Sequence, residues 1–262
     1  MATGNLQLSH PVCGWSGKGG GISFVLYFNS QSARTGSLGN KWTHSYNWQV
    51  LSSGNTATVI AGDGTETSFT LSGGQYVPPA GVYDQLVRHA DNTWTLTHKG
   101  GLKRYFLADG KLDRVVDLNG NTVQCNYSSG LLSSVTDASG RVLQLGYTSG
   151  RLTSVTDAEG RVWTIGYHAN GQVASVTMPA LNGQVYSTQF GYSGSNVTSI
   201  TNRLGKRWSY SYGANNVFTS MTDPDGKVWR LSYSSGGVYG FSRGGEVNTS
   251  AIGDPIPVPP VV

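Results

Sequence analysis

The chain has 262 residues, which is enough for one large β domain or two small ones. Only 12% of the residues are charged, 11% are aromatic and 37 are glycine, which is typical of a secreted or surface β protein and excludes a disordered chain. The formal charge of +4 is spread without a long Lys/Arg run, so we expect no nucleic-acid or membrane-surface binding, and no stretch of about 20 apolar residues predicts a membrane span.

Residues 1–75 predict an N-terminal β module. Two apolar stretches within residues 4–30 indicate strands on either side of the glycine-rich sequence GWSGKGGG. That sequence lacks the Lys-Ser/Thr ending and the following helix of a phosphate-binding loop, so we interpret it as a flexible loop. Trp42 marks an aromatic strand, and Asp63-Gly64 between two β-rich runs predicts a hairpin turn. The first residues lack the pattern of a signal peptide, so we expect any export signal to lie outside this chain.

Residues 76–116 predict bridging hairpins. Pro78 and Pro79 interrupt any strand at the start of this segment. The sequence VYDQLVRHA at residues 82–90 would form one helical turn at most, because Val, Thr and Trp dominate the residues after it. The rest of the segment alternates like a hairpin and ends in a degenerate copy of the repeat that comes next.

Residues 117–235 contain the repeat that organises the chain. Near-identical copies begin at Asp117, Asp137 and Asp157, a period of 20 residues. Each copy reads Asp-x-x-Gly, a short strand ending in Tyr, a glycine turn, and then Leu or Val followed three residues later by Val. A fixed period of this size predicts a repeat architecture, because one hairpin buries its aromatic face only against the next. Residues 236–262 lose the period and predict a Gly/Pro-rich tail, extended or disordered at its end.

Apolar residues alternate along each repeat strand, which predicts one buried and one wetter face. The residues that we predict to form the repeat core are Tyr127, Tyr147, Tyr167, Tyr192, Tyr212, Tyr233, Trp163, Trp208 and Trp229. In the Leu-x-x-Val half, a spacing of three would place the two apolar residues on opposite faces, so we predict a β-bulge between them. The predicted fold class is all-β: tandem hairpins in a curved or spiralling antiparallel sheet, with essentially no helix.

The recurrent polar and aromatic side chains are candidate sites, and each has a structural interpretation. One Asp per repeat is better explained as turn chemistry than as calcium binding, which needs about six to eight converging oxygens. The histidines show no metal spacing, and no nucleophile elbow or placed carboxylate pair indicates catalysis, so we predict no enzyme, no metal and no cofactor. Trp163, Trp208 and Trp229 would stack on sugars if exposed, but their parity with buried residues favours core packing.

The two cysteines leave two alternatives open. Cys125 lies on the predicted inward face of a strand, where a free thiol packs as a small apolar side chain. A bridge between Cys13 and Cys125 is the other alternative, although two cysteines do not make a disulfide framework.

The repeats resemble the YD repeats of the RHS family, found in bacterial RHS and polymorphic-toxin proteins and in animal teneurins. The signature G-x6-Y-x3-G-x-L-x2-V-x-D is matched by Gly140, Tyr147, Gly150, Leu152, Val155 and Asp157, with Gly150 one residue early. The sequences ATGNL at residues 2–6 and FNSQSARTGSLGNKWTHSYN at residues 28–47 resemble the module that precedes these repeats in the family.

The resemblance implies a spiralling β-sheet that forms a hollow shell, which in toxin members encloses a C-terminal toxin. This chain has fewer repeats than a closed shell needs and lacks the self-cleaving block that ends it, so we expect an excised piece without autoproteolysis or toxicity. We therefore predict a non-catalytic structural module of a secreted or cell-surface protein, with the rest of a larger RHS polypeptide, or a second copy stacked at strand edges, as its partner. The alternative is a carbohydrate-binding or adhesive module with a glycan partner.

Overall fold

The computed structural model describes residues 4–234, 237–243 and 246–248, with side chains as far as residue 233. Its strands in chain order are β1 (Gln7–Trp15), β2 (Ile22–Asn29), β3 (Thr35–Gly36), β4 (Gly39–Asn40), β5 (Trp42–His44), β6 (Gln49–Ser53), β7 (Thr56–Ile60), β8 (Glu66–Ser72), β9 (Gln75–Val77), β10 (Gln85–Arg88), β11 (Trp94–Thr97), β12 (Lys103–Phe106), β13 (Leu112–Val116), β14 (Thr122–Ser128), β15 (Leu131–Thr136), β16 (Val142–Thr148), β17 (Arg151–Thr156), β18 (Val162–Tyr167), β19 (Val173–Thr177), β20 (Ser187–Ser193), β21 (Asn196–Thr201), β22 (Arg207–Tyr212), β23 (Phe218–Thr222), β24 (Val228–Ser234), β25 (Gly237–Arg243) and β26 (Glu246–Asn248). Two single turns of 3-10 helix, Lys18–Gly20 and Ala214–Asn216, complete the regular structure of these residues.

Consecutive strands pair antiparallel through short turns. This order holds from β6 to β17 and again from β18 to β26. In the repeats, one hairpin carries the Tyr strand and the Leu-x-x-Val strand, and an Asp turn leads to the next hairpin. The predicted all-β fold of tandem antiparallel hairpins is confirmed.

The chain folds into two compact units, each made of repeats and of pieces of the N-terminal segment. The 43–162 unit also contains residues 11–27, and the 163–262 unit also contains the first ten residues and residues 28–42. The chain passes from one unit to the other within β1, β2 and β5 and at the start of β18. The N-terminal segment therefore contributes strands to both units.

Each unit has its own apolar core built from inward-facing strand residues. Fully buried side chains of the 43–162 unit include Phe24, Phe69, Phe106, Leu112, Leu143 and Leu152. Those of the 163–262 unit include Phe28, Leu38 and Ile200. The alternation seen in the sequence is thus the alternation of buried and wetter positions along the strands.

Two local expectations are corrected. The helical turn considered for residues 82–90 is wrong, because Gln85–Arg88 is a strand in which Leu86 pairs with Leu96 and is buried. Strand pairing also continues beyond the last repeat, since β25 and β26 occupy part of the segment predicted as a tail. The proline-rich residues 249–262 lie outside the described residues.

Candidate functional site: tyrosine braces and the turn row

A β-bulge lies in the second strand of each repeat hairpin. In the β16–β17 hairpin, Tyr147 pairs with Leu152 and Gly146 pairs with Ser154, so Thr153 is the extra residue. The bulge brings both members of the Leu-x-x-Val pair to the buried face, and Leu152 and Val155 are each 0% exposed. The corresponding extra residues in other hairpins are Asp113, Ser133, Ala174, Thr198 and Thr219. The predicted bulge is confirmed.

The repeat tyrosines bond to the backbone beside these bulges. Tyr147 donates its hydroxyl hydrogen to the carbonyl of Leu132, at 2.9 Å, in the hairpin that precedes its own. The carbonyl belongs to the residue just before the extra one, where the bulge disrupts the regular ladder. The other bonds of this kind run from Tyr127 to Leu112, Tyr192 to Val173, Tyr212 to Val197 and Tyr233 to Phe218. We call these contacts the tyrosine braces.

The remaining repeat tyrosine contacts the N-terminal segment. The Tyr167 hydroxyl lies 3.2 Å from the carbonyl oxygen of Ser37, to which it donates. All six repeat tyrosines are half-buried, with the ring in the packed layer and the hydroxyl on a backbone carbonyl. Burial raises the pKa of Tyr147 to about 12, so its hydroxyl stays a neutral donor at any physiological pH.

The three tryptophans considered for sugar stacking differ in exposure. Trp163 is buried, 7% exposed, whereas Trp208 and Trp229 are half-buried. Trp208 pairs across the ladder with Ile200, and Trp229 with Met221, both of which are buried.

The turns that join successive hairpins form a second regular feature. We call the turns at Asp117, Asp137, Asp157, Asn202 and Asp223 the turn row. The Asp137 Oδ1 accepts hydrogen bonds from the backbone N–H groups of Ser139 and Arg141, both at 2.9 Å. This is the local turn chemistry expected of Asp, and the interpretation is confirmed. The same pair of bonds recurs at Asp117, Asp157, Asn202 and Asp223.

In the 43–162 unit, the N-terminal segment docks on this row. Trp15 donates its indole N–H to Asp137 Oδ2 at 2.9 Å, and the Arg141 guanidinium carbon lies 5.5 Å from the Trp15 ring centroid. Arg141 also donates to Asp137 Oδ2 and to the carbonyl of Ser16, each at 2.8 Å. Burial raises the pKa of the Asp137 carboxyl, but the bonds from Trp15, the turn backbone and Arg141 outweigh it and lower that pKa to about 2.

The glycine-rich loop packs closely against the turns. A Cβ at Gly17 would lie 2.3 Å from an Arg141 guanidinium nitrogen, and one at Gly21 would lie 2.0 Å from the Trp15 carbonyl oxygen. Gly21 also has a φ of 72°, a left-handed value that favours glycine. The glycines therefore allow the loop backbone to pack against Arg141 and the Trp15 carbonyl. The interpretation of this loop as merely flexible is corrected.

In the 163–262 unit, another part of the N-terminal segment docks on the repeats. Trp42 donates its indole N–H to the Tyr192 hydroxyl at 2.9 Å. Lys41 is buried, with its Nζ donating to the Ser30 carbonyl at 2.5 Å and to Asn196 Oδ1 at 2.7 Å. Burial lowers the pKa of this amine.

The cysteines are two free thiols, and the bridge between them is not formed. Burial is the main cause that raises the pKa of Cys13 and of Cys125, each to about 12, so neither is a thiolate at neutral pH. The described residues contain no group of three or more His, Cys, Asp or Glu side chains arranged to hold a metal ion. None of the helices in the described part has the length and apolar character of a membrane span.

Several contacts were not predicted from the sequence. Trp15 and Asp137 are 122 residues apart, and nothing in either local sequence indicates that they meet. The Asp-x-x-Gly-Arg spacing at Asp137 and Asp157 does indicate a local contact, because Arg141 and Arg161 each form a salt bridge with the Asp four residues earlier. A further cluster of Asp84, His98 and Arg104 also had no sequence signature.

Comparison with known families gives direct matches to both parts of the chain. A family model described as RHS Repeat matches residues 148–181 and 192–228. A model described as Domain of unknown function (DUF6531) matches residues 1–69. The two matched stretches are RHS repeats. The resemblance seen in the repeat signature is confirmed, and the matched stretches fall within the row of hairpins that carries the bulges.

Among curated proteins, this RHS chain is similar to large bacterial nucleases. It is 32% identical over 129 residues to the tRNA nuclease WapA of Bacillus subtilis and, at the same identity and length, to the tRNA3(Ser)-specific nuclease WapA of Bacillus spizizenii. The alignments cover 48% of this chain and 6% of each relative. The chain therefore spans a small part of the length of these proteins.

Among solved structures, the RHS chain is similar to Tc toxin components. The Tc holotoxin pore of Photorhabdus luminescens matches with a TM-score of 0.40 and 14% identity, covering 92% of this chain and 14% of that one. The TcdB2-TccC3 structure matches with a TM-score of 0.33 and 11% identity, covering 87% of this chain and 14% of that one.

Proposed function

We propose that this RHS chain is a non-catalytic structural module whose hairpins build part of a β-sheet wall in a larger secreted or cell-surface polypeptide. The observation that carries the proposal is the row of tyrosine braces. Each brace joins a hairpin to the preceding one by a side-chain bond, in addition to the ladder between strands. The most regular residues of the sequence are thus engaged in holding neighbouring hairpins together.

The N-terminal segment supports the same proposal. It docks on the turn row through Trp15 in one unit and on a repeat tyrosine through Trp42 in the other. Both contacts use buried or half-buried polar groups, which are costly to leave unpaired. A segment that contributes to two units through such contacts is suited to fixing the arrangement of strands.

A catalytic role has weaker support. The relatives named as tRNA nucleases share 6% of their length with this chain, so their activity is not carried over to it. His98 is oriented by Asp84, as a general base would be, but its other ring nitrogen contacts Arg104 and therefore does not face a substrate.

Glycan binding and packing make opposite predictions for the tryptophans. We expect no glycan to bind the chain in a glycan array at millimolar sensitivity. Trp208→Ala and Trp229→Ala should each lower the free energy of unfolding in urea by about 2–4 kcal/mol, since half-buried aromatic rings lose packing when truncated. Tyr83→Ala is the control, because Tyr83 is 68% exposed and should change stability little.

The opposite result would contradict the structural role and support the alternative function, an adhesive module. That result is glycan binding which Trp208→Ala or Trp229→Ala abolishes while the urea midpoint stays at the wild-type value.

Self-association through strand edges is tested separately by sedimentation velocity over a hundredfold range of concentration. A concentration-dependent increase in mass is the result that we expect if a second copy can take the place of the rest of the polypeptide.

A further inference from the structure

A polar cluster outside the braces and the turn row lies on one aromatic ring of the 43–162 unit. His98 Nδ1 is 2.8 Å from Asp84 Oδ2, and His98 Nε2 contacts a guanidinium nitrogen of Arg104. The Arg104 guanidinium carbon lies 3.8 Å from the Trp48 ring centroid. The rings of Trp48 and His98 meet edge to face, with centroids 6.0 Å apart. We call these four residues the His98 cluster.

The partners of His98 fix its protonation state. An arginine can only donate hydrogen bonds, so His98 Nε2 must present its lone pair to Arg104. The single ring proton is then on Nδ1 and is donated to Asp84. A second proton, on Nε2, would face both an N–H donor and a positive charge. The neutral ring is therefore the form that fits this arrangement.

Charged groups from two neighbouring segments act on this ring. Among the described residues, they are Arg104 on β12 and Asp84 in the segment before β10. Burial is the largest cause that lowers the pKa of His98, Arg104 lowers it further, and Asp84 raises it. The sum is a lowered pKa, in agreement with the geometry.

Arg104 has few other anchors. Its Nε is buried and has no hydrogen-bond partner among the described residues. Burial lowers the pKa of the guanidinium to about 10, with Asp84 acting against this effect, so the group is still charged at neutral pH. Beside the attraction of Asp84, the stack on Trp48 and the contact with His98 hold it in place, and protonation of His98 turns the latter contact into repulsion.

Trp48 connects this cluster to the strand arrangement. Its carbonyl oxygen accepts the backbone N–H of Leu112 at 3.2 Å, and two residues later Val50 donates its N–H to the carbonyl oxygen of Gly110 at 2.8 Å. These two bonds fasten the start of β6 to the turn between β12 and β13. A change at the Trp48 ring therefore acts on the place where β6 meets this hairpin.

We propose that the His98 cluster is an acid-sensitive latch: protonation of His98 expels Arg104 from the Trp48 ring and loosens the start of β6 from the β12–β13 hairpin. The neutral and latched form is the one in the structure. The latch is independent of the proposed wall function, since it depends on none of the tyrosine braces.

Backbone hydrogen exchange of the whole chain tests the latch where it acts. After correction for intrinsic exchange rates, protection of the Val50 and Leu112 amides should fall about tenfold between pH 7.5 and 5.0, because proton uptake by His98 disfavours the latched form. In His98→Gln, which keeps polar contacts but takes up no proton, the fall should be less than about twofold. The Leu71 amide, bonded to the Asn55 carbonyl, is the reference, and the falls at Val50 and Leu112 are measured relative to it so that acid weakening of the whole fold cancels.

An NMR titration of the histidine ring protons gives a second test that does not need His98→Gln to fold. We expect the pKa of His98 to lie below its ordinary value in the wild type and to be higher in Arg104→Gln, because the conflicting charge is gone. The latch is overturned if the pKa of His98 is the same in both proteins, or if Val50 and Leu112 lose protection equally in His98→Gln and in the wild type.

Discussion

At the scale of single residues, the repeat tyrosine combines two functions that the sequence pattern does not separate. Its ring supplies apolar area, as a phenylalanine would, and the alternation of the strand predicts that role. Its hydroxyl satisfies a carbonyl beside the bulge of the preceding hairpin, as Tyr147 does for Leu132. Because burial raises the pKa of the phenol, the donor is not lost by ionisation at neutral pH.

Tyr147→Phe removes the brace and keeps the ring. We expect a loss of about 1 kcal/mol in the free energy of unfolding, because the Leu132 carbonyl loses its hydroxyl partner in a half-buried site. Urea denaturation of the whole chain at pH 7 measures the loss. Tyr83→Phe is the matched control, since the 68% exposed Tyr83 makes no brace and should unfold at the wild-type midpoint. Equal midpoints for the two variants would contradict the role given to the hydroxyl.

At the scale of elements, the sequence predicted what is repeated and local. The period, the Tyr strand, the Asp turn and the bulge all depend on residues within one hairpin, so their spacing appears in a single copy and recurs in the next. The Trp15–Asp137 bond and the His98 cluster bring together side chains from distant segments. A pairing of this kind depends on where the chain passes, which the local spacing of Trp15 or His98 does not encode.

The bulge gives a prediction at this scale, because deleting the extra residue of a bulge and deleting a residue of a regular strand should have different effects. Deleting Ser133 should leave Leu132 and Val135 two residues apart, so a regular ladder still places both on the buried face. The expected cost is about 1 kcal/mol, the loss of the bulge and of its brace. Deleting Gln144 places Leu143 and Leu145 on opposite faces and should lower the free energy of unfolding by about 2–5 kcal/mol.

Thermal and urea unfolding of the two deletion variants, beside the wild type, measure the difference. Both deletions remove one polar residue, and they fall in adjacent hairpins of the same unit. A Ser133 deletion that destabilises the chain as much as the Gln144 deletion would show that the bulge is needed for more than the brace.

At the scale of the whole molecule, stability depends on buried groups that the N-terminal segment places in each unit. His10 is buried in the 163–262 unit and His44 in the 43–162 unit. Burial lowers the pKa of each to about 4. The unfolded chain takes up these protons near pH 6.5, so stability from the neutral histidines is present above that pH and is lost progressively as the pH falls toward 4.

Acid should therefore weaken the fold before the Asp137 carboxylate of the turn row is protonated, since the pKa of Asp137 is about 2. We expect each buried histidine to remove about 3 kcal/mol from the free energy of unfolding once the pH is well below 4. His44→Asn should be less stable at pH 7.5, because it loses the stack on Phe24, but should have a flatter dependence of stability on pH between 6.5 and 4. His89→Asn, at an exposed position, is the control and should keep the wild-type slope. Urea midpoints of the three proteins across this range decide the matter, and parallel curves for His44→Asn and the wild type would show that His44 is not buried as a neutral ring.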